Sequence, residues 1–221
     1  MTRQGPPRES PRARRLRGSL TPKEILDAAE AIAGDGFEAL SVRAVAARIE
    51  SAPMALYNHF ATKDRLVDAL LDRVLSRFAP APPTSDWIED LRRFARAHRR
   101  LLDAHPWALA PLLRRPNPGL GAVRIGEAAL AILAQGGLAG AEAVAAFSGI
   151  VALNYGWSSF TAHRGGTGED VGATLAALPR SEFPLTAGVA GEMGAYGSDR
   201  HYELVLDQLL RGLEAGSQPR P

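Results

Sequence analysis

Cysteine is absent from the 221 residues. That excludes disulfides and thiolate metal sites and fits a chain that works in the reducing cytoplasm. Lysine is nearly absent, with only Lys23 and Lys63, while arginine is plentiful. No apolar run approaches the roughly 20 residues that a membrane-spanning helix needs. The Arg- and Pro-rich N-terminus has no apolar stretch behind it, so no secretory signal is expected. A formal net charge of only +2 gives no overall electrostatic footprint. Chemistry-bearing clusters are missing too. The five histidines, His59, His98, His105, His163 and His201, include no pair one helical turn apart and have no Cys partner, so no metal site or other cofactor is expected. Ser158-Ser159 near His163 is not a nucleophile elbow. Gly165-Gly166-Thr167-Gly168 lacks the lysine and the preceding strand of a phosphate loop. The chain does not read as an enzyme.

What is present is helical periodicity. At 46% apolar residues the chain can bury a core and hold one or two domains. No strand pattern or internal repeat occurs, and the fold class reads as all-α. Residues 1–19 carry Arg3, Arg8, Arg12, Arg14, Arg15 and Arg17 against Glu9; they read as a basic, disordered arm, with DNA contact an open alternative. A helix is expected from Thr21 to Ala33, opened by Thr21-Pro22-x-Glu24, with Ile25, Ala28, Ala29 and Ile32 as its buried stripe. Gly34-Asp35-Gly36 ends it, and Phe37 and Leu40 are expected to plug the core beneath. Further helices are expected over Lys63–Phe78, Trp87–Ala104, Trp107–Arg114, Leu120–Gln135, Ala139–His163 and Asp199–Glu214. Pro116 to Gly119 reads as a loop. The Pro-rich stretch after Phe78 marks the domain boundary, giving domains over 20–78 and 84–215. The Gly- and Pro-rich stretch 165–197 reads as mobile apart from one short helix, Val171–Leu178.

Residues 41–63, SVRAVAARIESAPMALYNHFATK, carry the most information. Val42, Val45, Ala46 and Ile49 recur at helical spacing behind Ser41, a capping residue. Glu50-Ser51-Ala52 break the helix, and Pro53 opens a second one expected to reach Phe60. On that short helix the polar residues Tyr57, Asn58 and His59 cluster, with Lys63 following. This is poor core and good material for a DNA major groove. The pattern alone fits equally an ordinary helical hairpin whose polar groups are solvated.

The segment LSVRAVAARIESAPMALYNHFATKDRLVDAL resembles the DNA-binding part of tetracycline-repressor-like (TetR family) transcriptional regulators. The cues are Leu-x-x-Arg, Leu56-Tyr57-x-His59-Phe60 and Lys63-Asp64 ahead of an apolar helix. With LTPKEILDAAEAIAGDGFEALS upstream, the resemblance covers about residues 20–75. The resemblance implies phosphate contacts for Tyr57, His59 and Lys63. Ser41 and Arg43 begin the first helix of the motif, where a hydroxyl and a guanidinium can meet phosphates or a base edge. Pro53, Met54 and Ala55 form the leading end of the recognition helix, and Asn58 can read an adenine edge. Val45, Ile49, Leu56 and Phe60 are its expected core. The family's usual turn glycine is Glu50 here. That position often needs φ > 0, costly for a residue with a side chain, and the carboxylate faces the wrong sign of charge for DNA.

Residues 86–160 resemble the family's tetracycline-repressor-type C-terminal domain, through the His105-Pro106-Trp107 corner and Gly119, Arg124 and Glu127. The resemblance implies a cytoplasmic, ligand-responsive regulator, a repressor that binds a palindromic operator as a homodimer and is released by a small-molecule effector. The dimer surface would be the helices 139–163 and 199–214, forming a four-helix bundle across the two-fold axis. Phe94, His98, Trp107, Leu112, Phe147, Asn154, Tyr155 and Trp157 are the ligand-pocket candidates, since they mix large apolar groups with a few polar tips. Leu112 stands where the namesake has its metal-contacting histidine, and Arg114-Arg115-Pro116 replaces its Thr-Arg-Pro loop, so the expected effector is not a metal–tetracycline complex. The alternative is a dimeric helical adaptor or sensor that has lost DNA binding.

Overall fold

A computed structural model of the chain describes residues 20–114, 119–162 and 168–217. The expected basic arm over 1–19, Pro116 to Pro118 of the expected loop and His163 lie outside the described residues. Among the described residues every regular element is helical. Packing divides the chain into two compact units between Leu66 and Val67. This division falls inside a helix, because residues from Val67 onward pack with the C-terminal helices: Asp72 accepts a hydrogen bond from the Gly121 N–H at 2.6 Å.

The N-terminal unit is built on three helices, α1 (Pro22–Asp35), α2 (Val42–Arg48) and α3 (Pro53–Tyr57). Thr21 and Glu24 close a reciprocal capping box over the start of α1, with Pro22 at its first position, satisfying N–H groups that have no intrahelical partner. Ile25, Ala28, Ala29 and Ile32 are buried as their spacing predicts, together with Ala33. After a 3₁₀ turn over Phe37–Ala39, Leu40 is fully buried while Phe37 is half-buried. Helix α3 stops at Tyr57, three residues before the expected end at Phe60. The N–H groups of His59 and Phe60 both turn back to the Leu56 carbonyl, at 2.9 Å each, so Asn58 and His59 sit in a turn.

Helix α4 (Lys63–Leu75) contributes to both units. Thr62 caps it through the Arg65 N–H at 3.1 Å. It ends three residues before the expected Phe78, where Arg77 and Phe78 switch to bonds with residues three back.

The C-terminal unit continues with α5 (Trp87–Ala104), α6 (Leu109–Arg114), α7 (Leu120–Gln135) and α8 (Gly140–Ala162). The short helix expected from Trp107 opens instead as a 3₁₀ turn, Pro106–Ala108. Leu91, Phe94, Ala95, Ile125, Ala129, Leu133, Ala146 and Ile150 form the core between α5, α7 and α8. The last helix, α12 (Asp199–Ser217), runs antiparallel to α5, as the pairing order of their charges requires. Arg92 pairs with Asp207, Arg96 with Glu203 at 2.7 Å, and Arg99 with Asp199 at 2.6 Å. Beneath this ladder the Arg99 guanidinium lies 4.2 Å from the centre of the buried Tyr202 ring, a cation–π contact.

Residues 168–197 correct the expectation of a mobile stretch with a single helix over 171–178. They form α9 (Gly168–Ala176), α10 (Pro184–Gly188) and α11 (Ala190–Gly194). Small residues explain the packing. A side chain at Gly172 would stand 3.3 Å from the Ala190 carbonyl, so α9 and α11 approach backbone to backbone. Glycine there serves close packing, which composition alone cannot distinguish from a loop.

Candidate nucleic-acid interface and ligand cavity

The turn between α2 and α3 has a defined geometry. Ser41 caps α2, its hydroxyl oxygen accepting from the Ala44 N–H at 3.1 Å. At the other end the Ser51 N–H bonds to the Ala46 carbonyl at 2.9 Å and the Glu50 N–H to the Ala47 carbonyl at 3.2 Å. This nested pair is a Schellman motif, and it puts Glu50 at the position that takes the left-handed conformation. Glu50 has φ +52°, and it is the one non-glycine residue with positive φ among the described residues. The strain inferred from the sequence is therefore present in the fold.

Val45 and Leu56 hold the two helices together from inside, both buried, with Ile49 and Phe60 half-buried at the margin. The opposite side is open. Arg43, Pro53, Met54, Tyr57, Asn58, His59 and Lys63 are all exposed, Met54 at 72%, while Ala55 is half-buried. An exposed methionine and tyrosine at the two ends of a five-residue helix cannot be serving a core. Lys63 is the first residue of α4, the end of a helix where N–H groups also favour an anion. This surface presents cations and a hydroxyl of the kind that can meet phosphates, an amide of the kind that can read a base edge, and apolar groups that can meet a thymine methyl.

The C-terminal unit contains a cavity of about 470 Å³, lined by Leu75, His98, Leu112, Leu113, Arg114, Ala122, Ile125, Phe147, Val151 and Tyr155. Its size and mostly apolar wall suit a small molecule. Four of the candidate residues, His98, Leu112, Phe147 and Tyr155, meet on it. Phe94 lines a separate, smaller cavity of about 190 Å³ with Pro80, Pro83 and Ile132. Trp107, Asn154 and Trp157 line neither. Trp157 donates its indole N–H to the Gly197 carbonyl at 3.1 Å and meets the Tyr202 ring edge-on. Trp107 packs against His105 in the 3₁₀ turn. Asn154 is fully buried and saturated by protein partners: it donates to the Ala95 carbonyl at 2.9 Å and accepts from the Tyr202 hydroxyl at 2.8 Å. The wall residues that sequence reasoning missed are Leu75, Leu113, Arg114, Ala122, Ile125 and Val151. Small and aliphatic groups on a cavity wall share the helical periodicity of core positions, so no sequence signal separates them.

Electrostatics in this unit follow burial. His98 is 2% exposed, and desolvation pushes its imidazole down to about 4, so it is neutral at physiological pH. Desolvation likewise raises the Tyr155 phenol above its ordinary range and pushes Tyr202 up to about 12. The buried Ser158 hydroxyl donates to Asp103 at 2.6 Å, a structural bond with no histidine base in it. No group of His, Asp and Glu among the described residues is arranged to hold a metal ion, and no described helix is long and apolar enough to cross a membrane.

Comparison with known proteins agrees with both halves. Residues 25–70 match the family described as bacterial regulatory proteins, tetR family, and residues 79–216 match the tetracyclin repressor-like C-terminal domain. An HTH-type transcriptional regulator of Saccharopolyspora erythraea is 32% identical over 211 residues, which span 91% of this chain and 87% of that protein. The HTH-type transcriptional repressor DrrR1 of Streptomyces coeruleorubidus is 30% identical, over 89% of this chain and 78% of that one. Among solved structures, apo ActR of Streptomyces coelicolor superposes with a TM-score of 0.85 at 27% identity, over 91% of this chain and 98% of that one. ActR in complex with actinorhodin gives 0.84 at 26% identity, over 91% and 100%. With a helix-turn-helix that exposes a polar recognition face, an all-helical C-terminal unit around a cavity, and both family domains matched in order, the chain belongs to the TetR family of transcriptional regulators.

Proposed function

We propose that the protein is a homodimeric repressor that binds a palindromic operator through Arg43, Tyr57, Asn58, His59 and Lys63 and releases it when a small molecule fills the cavity around His98. The observation that carries this reading is the exposed polar face of α3 and the turn after it, set on a buried Val45–Leu56 core. One such module offers too little surface for specific affinity, so two are needed on a two-fold related site. Support for the dimer comes from α8 and α12, which bury one stripe each and leave Val144, Phe160, Leu204 and Val205 exposed on other faces. Apolar groups that far round a helix favour a partner helix. ActR's binding of actinorhodin and DrrR1's name as a repressor support a ligand-released repressor acting on cytoplasmic DNA.

Helix α4 is the natural lever. It follows the recognition helix in the chain, and its last residue, Leu75, is in the cavity wall. A ligand that prefers the DNA-incompetent arrangement shifts the population by its differential affinity for the two states, and by no more than that. Duplex binding by Tyr57→Ala and Lys63→Ala tests the interface. Each variant should lose affinity to a similar degree across sequences while remaining a dimer. Lys63→Ala should also reduce the salt slope by about one. Unchanged affinity in both variants would remove α3 from the interface.

A further inference from the structure

The cavity wall is apolar except for His98, Tyr155 and Arg114. Arg114 is exposed and Tyr155 half-buried, so both keep access to water. His98 does not. Its ring is enclosed by Phe78, Phe94 and Tyr155, with centroids 5.8 to 6.4 Å away. Its tautomer is set by Asn154. The Asn154 atom 2.9 Å from the Ala95 carbonyl must be the nitrogen, since a carbonyl only accepts, and the other amide atom takes the Tyr202 hydroxyl at 2.8 Å. The same amide nitrogen stands 3.1 Å from His98 Nδ1. Asn154 therefore donates to Nδ1, and in the neutral ring Nε2 carries the proton. No described residue accepts that proton, and His98 borders the cavity. An N–H with no protein acceptor on the wall of a largely apolar cavity is costly while unpaired and selective once paired.

Resting on the reading of this cavity as the effector site, we infer that the effector presents a neutral hydrogen-bond acceptor, of the ketone or related carbonyl class, to the Nε2–H of His98, with an apolar body along Leu112, Ile125, Phe147 and Val151. A carboxylate does not suit that end. Held against His98 it would be buried without a counter-charge unless it also reached Arg114, the cation of the wall, which is exposed to water. Nor can His98 supply the charge by taking a second proton. A proton on Nδ1 would point at the Asn154 amino group, which is held by Ala95. Burial opposes the same protonation.

Fluorene, 9-fluorenone and fluorene-9-carboxylate share one tricyclic body and differ at one carbon, and titration calorimetry of the full chain with each provides the test. Fluorenone should bind about tenfold more tightly than fluorene, and the carboxylate more weakly than fluorenone. In His98→Phe, fluorene should still bind, and the preference for fluorenone should collapse to within about threefold. Imidazole nitrogen NMR on the unmodified protein at neutral pH should show His98 as the Nε2–H tautomer, a readout that holds whether or not the variant folds. Equal affinity for fluorene and fluorenone, tightest binding of the carboxylate, or an Nδ1–H tautomer would overturn the inference while leaving the cavity as a binding site. Failure of all three compounds to bind would overturn the reading of the cavity itself.

Discussion

Replacing Glu50 by glycine should make the protein more stable and a better DNA binder. Glu50 is the left-handed residue of the motif that ends α2, at φ +52°. A side-chain-bearing residue there costs roughly 1–2 kcal/mol, and glycine gives back roughly 0.5–1 kcal/mol through the entropy of the unfolded chain. The net gain is about 0.5–1 kcal/mol, or about 2–4 °C in Tm for each kcal/mol in a chain of this size. Glu50 is also exposed at the end of the helix that precedes the recognition helix, so its removal takes a negative charge away from the DNA-facing module. Affinity for duplex DNA should rise by about two- to fivefold, more at low salt than at high. Glu50→Ala separates the two effects: it keeps the backbone strain and loses the charge, so it should bind DNA more tightly with little or no gain in Tm. Thermal unfolding and a salt series of binding isotherms on both variants provide the assay. A lower Tm for Glu50→Gly would refute the strain argument, and unchanged DNA affinity in both variants would refute the electrostatic one.

Two further outcomes follow from the C-terminal unit. Gly121→Ala should destabilise the protein by about 1–2 kcal/mol in urea unfolding although alanine is the better helix former, because a Cβ would meet the Asp72 carbonyl and the Ser76 N–H nitrogen at 2.7 Å. The control Gly126→Ala, whose nearest neighbour would be Phe147 at 3.8 Å, should be neutral or stabilising. His98 makes stability depend on pH. Its folded pKa of about 4 lies below the unfolded value of 6.5, so between these values the unfolded chain binds more protons and stability falls as pH drops. The loss is about 3 kcal/mol over that window, and His98→Phe should show a correspondingly flatter profile between pH 6.5 and 4.

Much of this was legible in the sequence. The capping residues Thr21 and Ser41 and the stripe from Ile25 to Ile32 announce their helices because local chemistry and burial agree there. Glu50 was legible as a strained turn because the resemblance marks a glycine position and this chain has glutamate there. The cavity was half legible. Large residues with polar tips, such as His98 and Tyr155, stand out, but Asn154 and Trp157 have the same character and are spent on Tyr202 and Gly197. Whether a polar tip points into a cavity or into a neighbouring helix is a tertiary fact. Residues 168–197 were hidden for a related reason, since glycine and alanine encode close helix packing and loops alike.

The central claim, a dimeric operator-binding regulator, is tested most directly by selecting bound duplexes from a random DNA pool with the full-length protein and titrating the winner with salt. The account predicts an enriched palindrome with half-sites about one helical turn apart, bound by two copies, with affinity that falls steeply as salt rises. A folded dimer that enriches no sequence even at low salt would contradict it and leave the adaptor reading in its place.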